Sequence, residues 1–237
     1  MASRKKETLH RWISLSNLSL ATAARESGFD LAVYHEYSES TQQELRKRTI
    51  KQTMSNICDE YEWETEDKFG EAKALEELEY GVYVIRLSSP FTVRYRTPES
   101  KKNTKKQTVD FDGTSQIVYI GKGEVKTRLE RHLKSKLFDF MLSLSGANFD
   151  FQILDPISNF VAKDKLYTQI ENDLLLSFSK TVTCKEKSWP LLNKISGSDE
   201  GVKDCGKRWN LPLRKNVKRL EWAIEPTEKW RKTYLDK

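Results

Sequence analysis

Histidine, cysteine and proline are scarce in this 237-residue chain, with three His, three Cys and six Pro. The cysteines, Cys58, Cys184 and Cys205, are odd in number and far apart. They build no disulfide framework and no CxxC metal pair, so a reducing cytoplasm is the expected compartment. His10, His35 and His132 are too few and too scattered for a zinc site of the usual spacing. No apolar run approaches the length that spans a bilayer, so no membrane partner is expected. The basic stretch Met1–Arg11 followed by the uncharged Trp12–Ala24 imitates a signal peptide. Ser14, Ser16, Asn17 and Ser19 interrupt its apolar part, and Glu7 sits in its basic part, so the segment reads as a helix or turn region. The chain also has no GxxxxGK[ST] phosphate loop, no HExxH and no GxSxG.

What is present is aromatic and charged. Ten Phe, nine Tyr and six Trp are enough to build a core, which excludes disorder as the whole answer. The net charge of +6 hides segregation. Cys58 to Tyr80 carries ten acidic residues against Lys68 and Lys73. Two basic stretches follow. One contains Arg94, Arg96, Lys101, Lys102, Lys105 and Lys106; the other contains Lys207, Arg208, Arg214 and Lys215. Such patches hold a phosphate backbone, so these residues are the expected DNA contacts.

Three regions follow from periodicity and composition. Residues 1–79 read as a helical N-terminal extension, because Ile50, Met54, Ile57 and Tyr61 recur as one helix stripe. Ala24-x3-Gly28 is compatible with a helix-turn-helix, but a plain helical bundle propping up the next domain is the preferred reading. Residues 80–196 change character. Gly81–Leu87 and Gln116–Ile120 are strand-like, Glu124–Phe138 is a helix, Asn148–Leu154 alternates as a strand, and Asp164–Ser179 is a second helix. Between the first two strands lies a basic insertion, residues 88–114, with Phe91–Arg96 as an extra strand and Val109–Phe111 as its partner. Residues 197–237 form a basic, Trp-rich tail. Arg128 and His132 stand one helix turn apart, on a face other than that of Leu129 and Leu133, and are expected to point together away from the core.

The order Gly81-Val82-Tyr83, Tyr119-Ile120-Gly121, Arg128-x3-His132, a helical Glu171 and Pro190-x2-Asn193 resembles the GIY-YIG nuclease family, in particular its restriction-enzyme branch. The resemblance covers about half the chain. Val82 replaces the usual Ile of the first triplet, and the spacer between the two tyrosines is long. Lys122, directly after the second triplet, resembles the nucleotide-excision-repair branch instead.

The resemblance implies an α+β fold, with a small antiparallel sheet flanked by helices. It also implies a DNA endonuclease that uses Mg²⁺ or Mn²⁺ and leaves 5′-phosphate and 3′-hydroxyl ends. The expected site is Tyr83, Tyr119, Lys122, Arg128, His132, Glu171 and Asn193, with Glu171 as the metal ligand. The residue types suit the chemistry. Arg128 offers a planar fork to a phosphate. One carboxylate suits a Mg²⁺ that keeps most of its waters. Cations near Tyr119 would favour its phenolate. Tyr119 and His132 both remain open as the general base. Cutting both strands would call for a homodimer or sequential nicking. A type II restriction or phage-defence enzyme is the leading expectation. A structure-selective or single-strand nuclease of repair, recombination or mobile elements, and a non-catalytic nucleic-acid-binding module, are the alternatives.

Overall fold

A computed structural model describes residues 10–88, 91–96, 113–144, 148–156, 163–182, 190–193, 221–226 and 232. The chain is α+β, with two small antiparallel sheets and flanking helices. The larger sheet has four strands. They are β1 (His10–Leu18), β2 (Gly81–Leu87), β5 (Ile117–Gly123) and β6 (Phe149–Pro156), in the spatial order β1-β6-β2-β5. The smaller sheet places β3 (Phe91–Arg96) between β4 (Gly113–Ser115) and β7 (Glu221–Pro226).

The first element corrects the expected helix or turn: His10–Leu18 is a strand paired along β6, from His10 opposite Pro156 to Leu18 opposite Phe149. Ile13 and Leu15 are fully buried while Trp12 stays partly exposed, so Ser14, between the two buried residues, belongs to the other face of a strand alternation. The helix-turn-helix spacing is not realised. Helix α1 (Leu20–Glu26) is capped by Ser19, Gly28 follows in the left-handed region at φ 84°, and Leu31–Glu36 is a short 3₁₀ helix. The expected long stripe does hold. Helix α2 (Glu39–Phe69) starts where Ser38 accepts from Thr41 N–H and stops at left-handed Gly70. It buries Ile50, Met54, Ile57 and Tyr61. Each such side chain contributes about 1.5–3 kcal/mol.

Helix α3 (Val125–His132) runs through a π-helical turn, Leu133–Leu137, into α4 (Phe138–Ser143). Helix α5 (Lys163–Val182) packs on β2, β4 and β5. Residues Val82 and Leu154, cross-strand partners, form a buried cluster with Tyr167 of α5, so α5 covers the Val82 face of the sheet. The opposite face, with Tyr83, Ile85, Phe149, Phe151 and Ile153, belongs to the main core that includes Leu129, Leu133 and Phe138.

The basic insertion is partly structural. Its strand β3 pairs with β7, from Phe91 opposite Pro226 to Arg96 opposite Glu221, and Arg94 donates to Glu225 at 3.0 Å. Arg94, expected at DNA, is therefore met by a carboxylate of its own chain. The proposed partner strand Val109–Phe111 lies outside the described residues, as do Lys101, Lys102, Lys105, Lys106, Lys207, Arg208, Arg214 and Lys215. Arg96 ends β3. Among the described residues, no helix is long and apolar enough to cross a membrane.

Candidate active site

Strand register brings the two tyrosines together. On β2 and β5, Tyr83 lies opposite Gly121 and Ile85 opposite Tyr119. Direct partners, and residues two apart, share a sheet face, so Tyr83, Tyr119 and Gly121 point the same way. The rings stack with centroids 5.6 Å apart and planes 23° apart. They meet above residue 121, where a Cβ would sit 2.5 Å from Tyr119 Cε1 and 3.0 Å from each hydroxyl oxygen. Only glycine fits there. Gly123, two residues on, has φ 130°, and a Cβ on it would lie 3.0 Å from Arg128 Nε. Arg128 thus folds back over Gly123, beside the tyrosine pair, with its side chain exposed.

His132 corrects the expected outward orientation, because it is buried at 8% exposure and its Nε2 shares a 2.9 Å hydrogen bond with the Tyr83 hydroxyl. Its ring also lies 4.5 Å from that of Tyr119, centroid to centroid. Burial lowers the His132 pKa to about 3, and the charges of Lys136, Arg128 and Arg131 push in the same direction. The imidazole is therefore neutral, with one ring nitrogen free to accept a proton. Burial also pushes the Tyr83 phenol above its ordinary range. Tyr119 is raised as well, again chiefly by burial; its hydrogen bond with Tyr83 and the charge of Arg128 pull it part of the way back. Desolvation therefore outweighs the cations that were expected to make Tyr119 a ready phenolate.

Lys122 is on the other face of the sheet, opposite Val82, and its Nζ donates to Thr168 Oγ1 of α5. Its charge acts on Glu171, one turn beyond Thr168 on the same helix. Glu171 is half-buried. Burial raises its carboxyl pKa, while Lys122 and Arg128 lower it. The Glu171 charge in turn acts on both Tyr83 and Tyr119. Glu171 belongs to α5, the helix over the Val82 face, and its charge acts on phenols whose rings lie on the other face of the sheet. Among the described residues there is no group of three or more His, Cys, Asp or Glu that could hold a metal ion. A lone, partly desolvated carboxylate fits a hard cation that brings its own waters, not a polydentate protein cage.

Asn193 clamps the free edge of β5. Its Oδ1 accepts from Ile120 N–H at 2.9 Å and its Nδ2 donates to Ile120 C=O. The N–H of Leu192 adds a bond to Val118 C=O at 2.9 Å. The side chain stands in for the strand that an edge lacks. The short turn before it is held by Tyr95 of the insertion, whose hydroxyl accepts from Leu191 N–H at 3.4 Å and donates to Ile117 C=O at 3.1 Å. Lys136, which the motif pattern does not single out, also enters the site. Its Nζ donates to Leu192 C=O and lies 4.8 Å from the Tyr119 ring centroid. Its signal in the sequence is its place one turn beyond His132.

Comparison with protein-family models, with curated proteins and with solved structures finds no match for this chain. Two phenols, an imidazole and a guanidinium gather around one end of β5, and the charge of Glu171 acts on both phenols.

Proposed function

We propose that this chain is a divalent-metal-dependent DNA endonuclease of the GIY-YIG type. The observation that supports this most is the stacked Tyr83–Tyr119 pair, with His132 hydrogen-bonded to Tyr83 and Arg128 folded over Gly123 beside it; the charge of Glu171 acts on both phenols. Those residues stand in the chain order of that family's motifs.

The exposed Arg128 fork receives the scissile phosphate, held over Gly123 so that it lies beside the tyrosines. Tyr119 retains 9% exposure while Tyr83 has none, so Tyr119 meets the attacking water. As the water oxygen bonds to phosphorus, its proton passes to the Tyr119 oxygen, the Tyr119 proton to Tyr83, and the Tyr83 proton to His132 Nε2. Burial and the neighbouring cations disfavour the imidazolium; the negative charge of the bound phosphate offsets the cations, so His132 holds the proton only while substrate is in place. The bond to the 3′ oxygen breaks, that oxygen takes a proton from solvent, and His132 afterwards returns its proton to solvent through the same hydroxyls, leaving a 5′-phosphate and a 3′-hydroxyl.

Glu171 would hold the metal, which when bound stabilises charge on the leaving and non-bridging oxygens. Lys122 trims the desolvation of that carboxylate and anchors α5 through Thr168. Asn193 keeps β5, and hence Tyr119, in register. A type II restriction or phage-defence role is the reading that the single site and the basic insertion favour, with a homodimer cutting both strands.

The test is cleavage of plasmid, single-stranded and branched DNA with Mg²⁺. Discrete linear products from duplex plasmid are expected. Glu171→Ala and Arg128→Ala should each abolish cutting, by about 100-fold or more, with DNA binding retained in Glu171→Ala. A Glu171→Ala protein that cuts like the parent overturns the metal assignment.

A further inference from the structure

Lys136 is a buried cation outside the Tyr119–Tyr83–His132 relay. It sits within the π turn Leu133–Leu137, at 8% exposure. A π turn re-aims side chains on a helix and recurs at functional sites. Here the ammonium has two partners from different parts of the chain. One is the carbonyl of Leu192, the residue immediately before the Asn193 clamp; the other is the face of the Tyr119 ring, with Nζ 4.8 Å from its centroid.

We propose that Lys136 is a positioning residue that locks the Tyr119 ring to the Pro190–Asn193 turn, so that the phenol and the strand clamp behind it move as one body.

Burying an ammonium is expensive unless it is paired or hydrogen-bonded. A Met or Leu at 136 would fill the space without that cost, so the cation needs a reason to be there. The two contacts supply one. A cation gains most from an aromatic face when both are desolvated, and a hydrogen bond from a charged donor is stronger than one from a neutral donor. Neither partner alone fixes the ring. The Tyr119 hydroxyl meets Tyr83, which restrains one end of the side chain, while Lys136 bears on the ring face.

The same charge bears on His132. Its surroundings are Tyr83 from β2, Tyr119 from β5, Arg128 and Arg131 from its own helix, and Lys136 from the next turn. Of the charged groups, Lys136 acts most strongly in keeping the imidazole neutral, after burial itself. The catalytic consequence of this inference rests on the nuclease reading; the placement of Lys136 does not.

The experiment uses the full chain with Lys136→Gln and Lys136→Met. Gln keeps a donor for Leu192 C=O and removes the cation; Met removes both. Near-UV circular dichroism checks that each folds. Imidazole NMR follows the protonation of His132. Amide exchange at Leu192 and Ile120 follows the clamp.

The His132 midpoint should rise in both variants. Amide exchange at Ile120 should quicken in Met and stay slower in Gln. Plasmid cleavage should fall about 100-fold in Met, the scale of a misplacement of roughly 1 Å at a reacting group. If Met does not fold, the Gln variant decides. An unmoved His132 midpoint in Gln, or parental exchange at Ile120 in a folded Met variant, overturns the proposal. If the parent protein cuts no DNA, the nuclease reading fails, while the NMR and exchange measurements still decide the role of Lys136.

Discussion

The Tyr83 hydroxyl and His132 Nε2 stand 2.9 Å apart, both inside the core. A phenol and an imidazole so placed exchange a proton without exposing it to bulk water. Tyr119, stacked on Tyr83 and 9% exposed, lies between that pair and solvent-accessible surface.

Stability should depend on pH through His132. Its folded pKa is lowered, from 6.5 to about 3. Below pH 6.5 the unfolded chain takes a proton that the folded chain refuses, so stability is fully present above that value and is lost as pH falls toward 3. Urea unfolding at pH 7 and at pH 5 measures this. His132→Gln should show a shallower loss over that interval than the parent.

Gly121→Ala should separate the tyrosines. Its methyl would press on Tyr119 Cε1 and on both hydroxyls. Overpacking of this kind costs about 1–3 kcal/mol. A lower denaturation midpoint and an altered near-UV tyrosine band are expected, with cleavage lost. An Ala variant with the parental near-UV spectrum would contradict the stacked arrangement.

Asn193→Asp should be no better than Asn193→Ala, although it is nearly isosteric. Asp keeps an acceptor for Ile120 N–H but sets a second oxygen against Ile120 C=O, where the Asn amide donated. Each unpaired buried polar group costs about 1–3 kcal/mol. Hydrogen exchange at Ile120 and unfolding free energies compare the two.

Arg94 and Arg128 should differ at DNA. Arg94 is paired with Glu225 across β3 and β7, whereas the Arg128 side chain is exposed at the site. Arg128→Ala should reduce the salt slope of DNA binding by about 1, and Arg94→Ala should leave it nearly unchanged. Affinity measured across a salt series reads both.

The local pattern of this chain already contained much of the fold. β-branched runs marked β2 and β5, alternation marked β6, and helical spacing marked α2 and α5, because each of these signals is written in neighbours along the chain. Strand β1 carries the same alternation in Ile13-Ser14-Leu15, but over so short a run that only its pairing with β6, far along the chain, distinguishes it from a helix or turn. Strand β7 had no comparable local mark; its partner β3 lies more than a hundred residues away, as the Arg94–Glu225 pair shows.

Residue types and their order thus came from the sequence: two tyrosines on strands, an arginine and a histidine on one helix, a lone acid on another, an asparagine after a proline. Tertiary packing decided what those groups are. It turned His132 inward to Tyr83, sent Lys122 to the α5 face, brought Lys136 under Tyr119, and raised both phenols by taking them out of water. Proton affinity depends on solvent exclusion and on charges brought close through space, and neither is encoded in the spacing of residues along a chain.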